Sequence, residues 1–267
     1  MIHFAYLNYG PSENFRRELK YSFLTPRPFL DPARHRVAIF TDAPDLFAGW
    51  PVTAVSIADK MAAYSANGRF GHRVKPAVVL DALRRFGEPV LLMDSDSIVS
   101  DGFMPRVGAA MNAGAIMNQF ARADPIPALA GFEVTLPHSA YRYDRQTARM
   151  FNSGLIGARP DHLAAIEDAI ALTDAFLAQP AARDYHFQLE QLAIGEALRV
   201  HRIAIAEIHD SFFHHWKRSW RRYAAYRFPK ILPRAWDDFS PPRAKLTFNP
   251  AAVRLVSMMH SLRKRVG

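Results

Sequence analysis

The stretch that decides the fold is residues 72–96, HRVKPAVVLDALRRFGEPVLLMDSD. Its first half carries aliphatic residues at helical spacing, and Gly87 with Pro89 ends that helix. The aliphatic run 90–93 has the length of a buried strand, and Asp94 follows it directly. A helix that leads into a buried strand is typical of a parallel sheet, in which ligands bind beyond the carboxyl ends of the strands.

The segments before this stretch repeat the same order. Residues 2–10 (IHFAYLNYG) predict a first strand, residues 12–24 (SENFRRELKYSFL) a helix with Ser12 as its N-cap, and residues 35–45 (HRVAIFTDAPD) a second strand. Strand, helix and strand in succession predict an α/β fold. We expect a Rossmann-like, mostly parallel central sheet with flanking helices.

The remaining elements are predicted from shorter patterns. We expect strands near 114–120 and 132–136, one strand in 149–160, helices over 161–179 and 185–199, and a late strand in 201–210. A last amphipathic helix is expected to carry Leu255, Met259 and Leu262 on one stripe.

Composition limits the chemistry. The 267 residues contain no cysteine, which excludes disulfides and thiolate ligands and leaves Asp, Glu and His to bind a hard metal ion such as Mg²⁺ or Mn²⁺. The formal net charge is +9, and basic and aromatic residues crowd together in 214–230 (HHWKRSWRRYAAYRFPK) and in the terminal LRKRVG. Because no membrane-spanning or signal-peptide pattern occurs, we expect a cytoplasmic protein.

Asp94 and Asp96 are the first candidates for function. They are separated only by Ser95 and stand where a buried strand opens into a loop, so both can reach one divalent cation, or one cation and a sugar hydroxyl. Such a cation would bridge diphosphate oxygens. The structural alternative is that Asp94 begins a turn and Asp96 caps the following segment.

Four motifs together resemble a known family. The aliphatic strand ending in Asp-Ser-Asp resembles the D-x-D region of the GT-A glycosyltransferases, and MFNSGLIG (150–157) resembles the F/Y-N-x-G strand of the family 8 glycosyltransferases and their bacterial relatives. LEQLAI (189–194) is similar to the acidic-Gln pair of that family, and FHHWKRSW (213–220) to its terminal His-containing segment. The motifs stand in the order of the family over residues 1–220.

The resemblance implies that Asp94, Asp96 and His214 bind the metal, and carboxylate oxygens with a neutral imidazole suit Mn²⁺. In the family the terminal segment reads His, two residues, Gly, two residues, Lys-Pro-Trp, whereas here His214 is followed by His215, Trp216 and Lys217 without Gly or Pro. His209 and His215 therefore stay alternative ligands. The structural alternative for His214 is a surface histidine in an aromatic cluster.

The resemblance also implies a donor-binding set and a catalytic pair. Glu190 is interpreted as a general base for inverting transfer, or as a nucleophile or ion stabiliser for retaining transfer, with Gln191 beside it. Lys217 and Arg218 are candidates to neutralise the leaving nucleotide. The donor-binding residues are Tyr6, Asn8, Thr41, Asp42, Arg73, Lys75, Asp94, Ser95, Asn152, Ser153, Gly154 and Lys217.

Each candidate has a structural alternative. Asp42 fits a turn cap, Arg73 and Lys75 fit the solvated start of a helix, and Lys217 with Arg218 fits a solvated basic patch. Gly154 fits a bulge, although a glycine also lets a ligand approach the backbone closely. Glu190 and Gln191 fit a helix edge on spacing alone.

We therefore predict a metal-dependent glycosyltransferase. Residues 1–220 would form a GT-A-like domain and residues 221–267 a basic, aromatic, helical extension. The donor would be a nucleotide diphosphate sugar, with a UDP-sugar expected, and the acceptor a saccharide or a lipid-linked saccharide in cell-surface polysaccharide synthesis. The extension fits an anionic membrane surface, which would make the protein peripheral on the inner face of the membrane.

Two other classes compete with this prediction. A basic nucleic-acid-binding protein could stack bases on Trp216, Trp220 and Tyr223, but no compact nucleic-acid motif supports it. A metal-dependent phosphohydrolase would use the two aspartates, but the sequence offers no clear second metal cluster. We rank it last.

Overall fold

A computed structural model describes residues 1–235, 238–242 and 245–266, with side chains described up to residue 260. The helices are α1 (Glu13–Leu24), α2 (Met61–Tyr64), α3 (Val74–Phe86), α4 (Phe103–Ala113), α5 (Leu163–Leu177), α6 (Leu189–Val200), α7 (Arg218–Ile231) and α8 (Pro250–Val266). The strands are β1 (Ile2–Asn8), β2 (His35–Thr41), β3 (Thr53–Ser56), β4 (Val90–Met93), β5 (Ser97–Val99), β6 (Ala115–Met117), β7 (Phe120–Ala123), β8 (Glu133–Thr135), β9 (Ala140–Arg142), β10 (Arg149–Phe151), β11 (Leu155–Ala158), β12 (Ile205–Glu207) and β13 (Phe212–His214).

A seven-stranded sheet in the order β12-β6-β11-β4-β1-β2-β3 forms the centre of the molecule. The pairs β4/β1, β1/β2, β2/β3 and β12/β6 are parallel, whereas β11 runs antiparallel to both of its neighbours. Helices pack on both faces, so apolar side chains of successive residues along β4 enter two different core clusters. The predicted mostly parallel sheet with flanking helices is confirmed.

The decisive stretch folds as its pattern predicts. Helix α3 ends at Gly87, whose φ of 63° lies in the left-handed region that glycine adopts at low cost, and its N–H donates to the Leu83 carbonyl at 2.9 Å. Strand β4 is buried along its whole length and ends directly before Asp94. The Asp94 N–H donates to the Gly154 carbonyl at 2.9 Å, which joins the loop after β4 to the residues before β11.

The predicted strand in 149–160 is in fact two strands. Strand β10 pairs with β7 outside the central sheet, and β11 enters the central sheet. Asn152, Ser153 and Gly154 link them, and the Asn152 side-chain oxygen accepts the Gly154 N–H at 2.9 Å. Because an Asn side chain that bonds the backbone two residues on stabilises a turn, the chain changes direction here.

The predicted helix over 185–199 begins later than expected. Residues Pro180–Gln188 form a 3-10 helix, and α6 starts at Leu189. Phe187 lies in this 3-10 helix and is 74% exposed, so it does not belong to the buried face of α6.

The C-terminal segment packs on the central fold. Helix α7 lies mostly in the segment expected to be a helical extension, although no pattern predicted its bounds. It buries Tyr223 and Phe228 in the same core cluster as Leu19 and Tyr21 of α1. The division expected at residue 220 falls inside this helix and stays a prediction.

The final helix occurs as predicted. In α8, Leu255 and Met259 are 59% and 42% exposed, whereas Val253 is buried. The side chain of Leu262 and those of the terminal LRKRVG lie outside the described residues. None of the described helices combines the length and the apolar character that a membrane span requires.

Candidate functional site

Two carboxylates and an imidazole meet at the carboxyl end of β4. Strand β13 pairs antiparallel with β5, with His214 opposite Ser97, and this pairing places the imidazole against the Asp94 and Asp96 side chains. The His214 Nε2 lies 3.3 Å from the Asp94 Oδ2 and 3.1 Å from the Asp96 Oδ1. Ligand atoms of these three residues all lie within 4.8 Å of one another, which is the separation that one shared metal ion requires.

A hydrogen bond on the ring nitrogen that faces away from the carboxylates fixes the orientation of His214. Its Nδ1 lies 3.0 Å from the Asn152 Oδ1, which also accepts hydrogen bonds from the Asn118 side chain and the Gly154 N–H. Since an amide oxygen only accepts, the Nδ1 of His214 carries the proton and Nε2 faces the carboxylates. A hydrogen bond of this kind to the distal nitrogen is common for metal-binding histidines.

Gly154 makes room for that ring. A Cβ at this position would lie 2.3 Å from the His214 Nδ1 and 2.7 Å from its Cγ. The sequence interpretation assigned the glycine to a sugar pocket. The structure assigns it to the histidine, because the imidazole occupies the space that a side chain would need.

The two alternative histidines lie elsewhere. His209 is exposed and pairs with Asp210 at 2.9 Å. His215 is buried and its ring lies 5.4 Å from that of Phe248, because adjacent residues of a strand point to opposite sides. Of the three candidates, only His214 lies against the acidic pair.

The electrostatics of the cluster favour charged groups. Burial opposes ionisation of Asp96, but contact with His214 outweighs it and holds the pKa of this carboxyl well below its usual range. Burial likewise opposes protonation of His214, but the two carboxylates raise the pKa of the imidazole to about 9. The metal-free cluster is therefore an ion triad at neutral pH, and a metal ion must displace the Nε2 proton.

Lys75 lies on one side of the acidic pair. Its Nζ is 2.7 Å from the Asp94 Oδ2, 3.3 Å from the Ser153 Oγ and 3.9 Å from the Glu190 Oε1. Burial lowers the pKa of this ammonium, but Asp94 and Glu190 outweigh that effect, so the pKa is raised and Lys75 is charged. The cation is thus placed where it can balance the carboxylates or an anionic ligand.

Glu190 lies next to Lys75 and Ser153, in the protein interior. It is fully buried, the Ser153 hydroxyl donates to its Oε1, and its Oε2 has no hydrogen-bond partner among the described residues. Burial raises the pKa of its carboxyl, against the opposing effect of Lys75. A general base or nucleophile must touch the reacting group. In this conformation the Glu190 carboxylate accepts from Ser153 and lies 3.9 Å from the Lys75 Nζ without access to solvent, so its predicted direct catalytic role does not fit its burial.

Gln191 differs from its neighbour. It is half-buried, and its side-chain amide makes no hydrogen bond within the described part of the chain. Such an amide offers both a donor and an acceptor to a ligand. Ser95, between the two aspartates, is also half-buried.

Polar residues at the ends of β1 and β2 lie at one edge of the central sheet. Asn8 lies opposite Thr41 in the parallel register at the sheet edge that carries Asp94. The Thr41 hydroxyl accepts the Ala43 N–H at 3.1 Å, and the Asp42 carboxylate accepts the Gly10 N–H at 3.0 Å. Both side chains thus stabilise loops at this edge, and Asp42 remains exposed.

Tyr6 does not reach the surface. Its side chain is completely buried in the core, so it cannot contact a nucleotide as the sequence interpretation expected. Burial raises the pKa of its phenol, against the opposing effect of the nearby Ser22. The Ser22 hydroxyl lies 3.0 Å from that of Ser97, which donates to the Asp94 carbonyl at 2.6 Å. Tyr6 is therefore a core residue near the loop that carries Asp94.

Two predicted basic contacts are engaged elsewhere. Arg73 pairs with Asp174 through two hydrogen bonds of 2.6 and 2.8 Å and donates to the Ala63 carbonyl, so it joins α3 to α5. The Lys217 Nζ lies over the Trp220 ring at 4.6 Å. The structure places neither side chain against the acidic pair, because each already has a partner.

Arg221 takes the position that the sequence interpretation gave to Lys217. Its Nε lies 3.7 Å from the Asp96 Oδ2, and its guanidinium pairs with the buried carboxylate of Glu18. Tyr9 was also missed, and its phenol is close enough to Lys75, Asp94 and Asp42 for their charges to act on it. A glutamate inside the apolar pattern of α1 was the available signal for Glu18. Arg221 had no such signal, since no pattern predicted the bounds of α7.

The aromatic residues proposed for base stacking are mostly engaged in packing. Tyr223 is buried, and Trp220 packs on Phe213 and Phe248. Trp216 is 56% exposed and is the one member of the predicted trio with a largely open ring. The continuous stacking platform of that alternative is therefore not formed.

The cluster fits a hard divalent cation on its own chemistry. Two carboxylates and one imidazole with a fixed tautomer provide oxygen and nitrogen ligands suited to Mn²⁺ or Mg²⁺. Among the residues with described side chains, this is the single group of three acidic or histidine ligands at metal-binding separation.

Comparison with known proteins gives likeness of fold. No family model and no curated protein matches the sequence. The structure of galactosyltransferase LgtC with donor and acceptor sugar analogues matches with a TM-score of 0.52 at 10% identity, over 89% of this chain and 100% of that one. This likeness agrees with the predicted GT-A fold class.

Two weaker matches are a putative glucose-1-phosphate thymidylyltransferase from Bacillus anthracis, in complex with sucrose, and the bifunctional IspDF from Campylobacter jejuni. The first has a TM-score of 0.44 at 12% identity over 86% of this chain and 96% of that one. The second has a TM-score of 0.40 at 14% identity over 78% of this chain, which spans about half (49%) of that protein.

Proposed function

We propose that this protein is a metal-dependent glycosyltransferase that moves a sugar from a nucleotide diphosphate donor to a saccharide or lipid-linked acceptor. The observation that carries the proposal is the meeting of Asp94, Asp96 and the Asn152-oriented Nε2 of His214 at the carboxyl end of a central strand. The likeness of fold to galactosyltransferase LgtC, whose structure is a complex with donor and acceptor sugar analogues, supports the same proposal.

Asp94, Asp96 and His214 would hold Mn²⁺ or Mg²⁺. When bound, the ion would supply positive charge to the donor diphosphate and so favour departure of the nucleotide. UDP is the expected nucleotide. The base and ribose would lie near Asn8, Thr41 and Asp42.

The groups of this chain around the ion have separate proposed roles. Lys75 and Arg221 flank the acidic pair and would balance charge on the leaving diphosphate. Glu190 would act as a positioning residue, since its carboxylate holds the Ser153 hydroxyl and lies near Lys75. Gln191 would contact sugar hydroxyls. The stereochemical course is left open, because no carboxylate in reach of the ligand space is assigned as the nucleophile.

A donor panel tests the proposal. The protein is incubated with UDP-, GDP- and dTDP-sugars in the presence of Mn²⁺, Mg²⁺ or EDTA, and release of the nucleoside diphosphate is measured. We expect slow, metal-dependent release from one class of donor, loss of release in His214→Gln, and normal release in the matched variant His209→Gln. Release that persists in EDTA, or no release from any donor, would contradict the proposal.

A further inference from the structure

A groove of about 570 Å³ opens between α1, α7 and α8, beside the acidic pair. Arg221 forms its connection to the candidate metal centre, because this side chain lines the groove and its Nε lies 3.7 Å from the Asp96 Oδ2. The groove is thus one side chain away from Asp96, a proposed metal ligand, whereas Lys75 contacts the other aspartate, Asp94.

The groove carries positive charge that the protein itself does not neutralise. Arg218, Arg221 and Arg222 line it, and Glu18 is its one carboxylate, already bonded to Arg221. Neither Arg218 nor Arg222 is paired with a carboxylate in the part of the chain that the structure describes. Guanidinium groups present planar pairs of donors that match phosphate oxygens, so an unpaired set of this kind favours a phosphate-bearing ligand.

The same groove exposes aromatic surface. Phe15, Trp216 and Tyr226 line it and are 41%, 56% and 47% exposed. Arg221 lies over the Phe15 ring at 4.7 Å and Lys230 over the Tyr226 ring at 3.9 Å, so Trp216 offers the most open ring face. The C–H face of a pyranose ring packs well on such a flat apolar surface. Guanidinium groups that can bind phosphate, placed beside an aromatic face, therefore favour a phosphorylated sugar over a bare anion as the ligand.

We infer that this groove binds a phosphate-bearing saccharide and that, in the proposed transferase, this ligand is the acceptor. The acceptor role rests on the proposed function, whereas the binding site does not. Apart from Arg221, the residues proposed for the donor, such as Asn8, Asp42 and Lys75, do not line the groove. The donor and the groove ligand would thus meet at Arg221, contact otherwise different residues and bind together.

Calorimetric titration of the full chain with glucose 6-phosphate tests this, with glucose and inorganic phosphate as comparison ligands. We expect glucose 6-phosphate to bind at least tenfold more tightly than either comparison ligand, and to bind equally well with Mn²⁺ and saturating UDP present. In Arg218→Gln/Arg222→Gln the affinity should fall at least tenfold. The matched variant Arg85→Gln/Arg183→Gln removes the same charge at exposed positions outside the groove and should bind normally.

Three results would overturn the inference. Equal affinity for inorganic phosphate would show unspecific anion attraction, competition by UDP would show that the groove belongs to the donor, and equal losses in the two double variants would show a general charge effect. If glucose 6-phosphate binds as expected while UDP with Mn²⁺ does not bind, the groove stands and the proposed transferase fails. If UDP binds and glucose 6-phosphate does not, only the groove inference fails.

Discussion

Replacement of Gly154 by alanine should disable the metal centre without touching a metal ligand. The new Cβ would lie 2.3 Å from the His214 Nδ1, whereas ordinary contacts begin at 3.4 Å, so the imidazole must move by about 1 Å. That movement breaks the 3.0 Å contact between the His214 Nδ1 and the Asn152 Oδ1 and turns Nε2 away from Asp94 and Asp96.

The expected magnitudes follow from these contacts. Loss of an orienting partner behind a metal-binding histidine typically lowers metal affinity about 10- to 100-fold. Overpacking at a buried position costs about 1–3 kcal/mol in the free energy of unfolding. We therefore expect Gly154→Ala to weaken Mn²⁺ binding by at least tenfold and to lower stability moderately.

Gly157→Ala is the matched control. Its Cβ would lie 2.7 Å from the Ile116 Cβ, so it overpacks strand β11 three residues after Gly154, without contact to His214. Calorimetric Mn²⁺ titration and urea unfolding of both variants separate the two effects. The reasoning is refuted if Gly154→Ala binds Mn²⁺ like the wild type, or if Gly157→Ala loses Mn²⁺ affinity to the same extent while folded.

Three further predictions follow from the site. Mn²⁺ must displace the proton of the His214 imidazole, whose pKa is raised to about 9. The apparent Mn²⁺ affinity in calorimetric titrations should therefore rise about tenfold per pH unit between pH 6.5 and 8.5. An affinity that does not change with pH would contradict this. In EDTA the pH dependence of stability has the opposite sign. The raised pKa of His214 in the folded state stabilises the protein fully below about pH 6.5, and this contribution of at most about 3 kcal/mol is lost as pH rises through 9. The free energy of unfolding measured in urea should therefore fall over that pH range in the wild type but not in His214→Gln. Arg73→Gln should lower the free energy of unfolding by about 1–2 kcal/mol through lost bonds to Asp174 and the Ala63 carbonyl, yet leave Mn²⁺-dependent UDP binding intact, and loss of that binding would restore Arg73 to the donor site.

The sequence predicted the parts of the fold that depend on local pattern. The helix ending at Gly87 and the strand over residues 90–93 occur where the aliphatic spacing and the glycine placed them. The turn at Asn152 was missed because its cause is a side-chain bond of Asn152, and hydropathy does not record such bonds. The bounds of helix α7 were missed because its many charged and aromatic residues obscure an apolar face that packs on α1 and α8.

Some residues of the candidate site could likewise be predicted from local sequence pattern, and others could not. Asp94 and Asp96 could be found because they adjoin a recognisable strand, and His214 because a motif followed it. Arg221 and Glu18 depend on the packing of α1 against α7, which no sequence spacing shows. Tyr6 and Arg73 were placed wrongly because their sequence positions near strand and helix ends do not reveal which way a side chain points.

The most direct measurement is calorimetric titration of UDP into the wild type and Asp96→Asn, each with Mn²⁺ and with EDTA. The asparagine keeps the size of the side chain and removes the charge that the metal requires. The account predicts UDP binding in the wild type with Mn²⁺ and at least a tenfold loss in the other three conditions. UDP binding of equal strength in all four conditions would contradict a metal-bridged diphosphate at Asp94, Asp96 and His214.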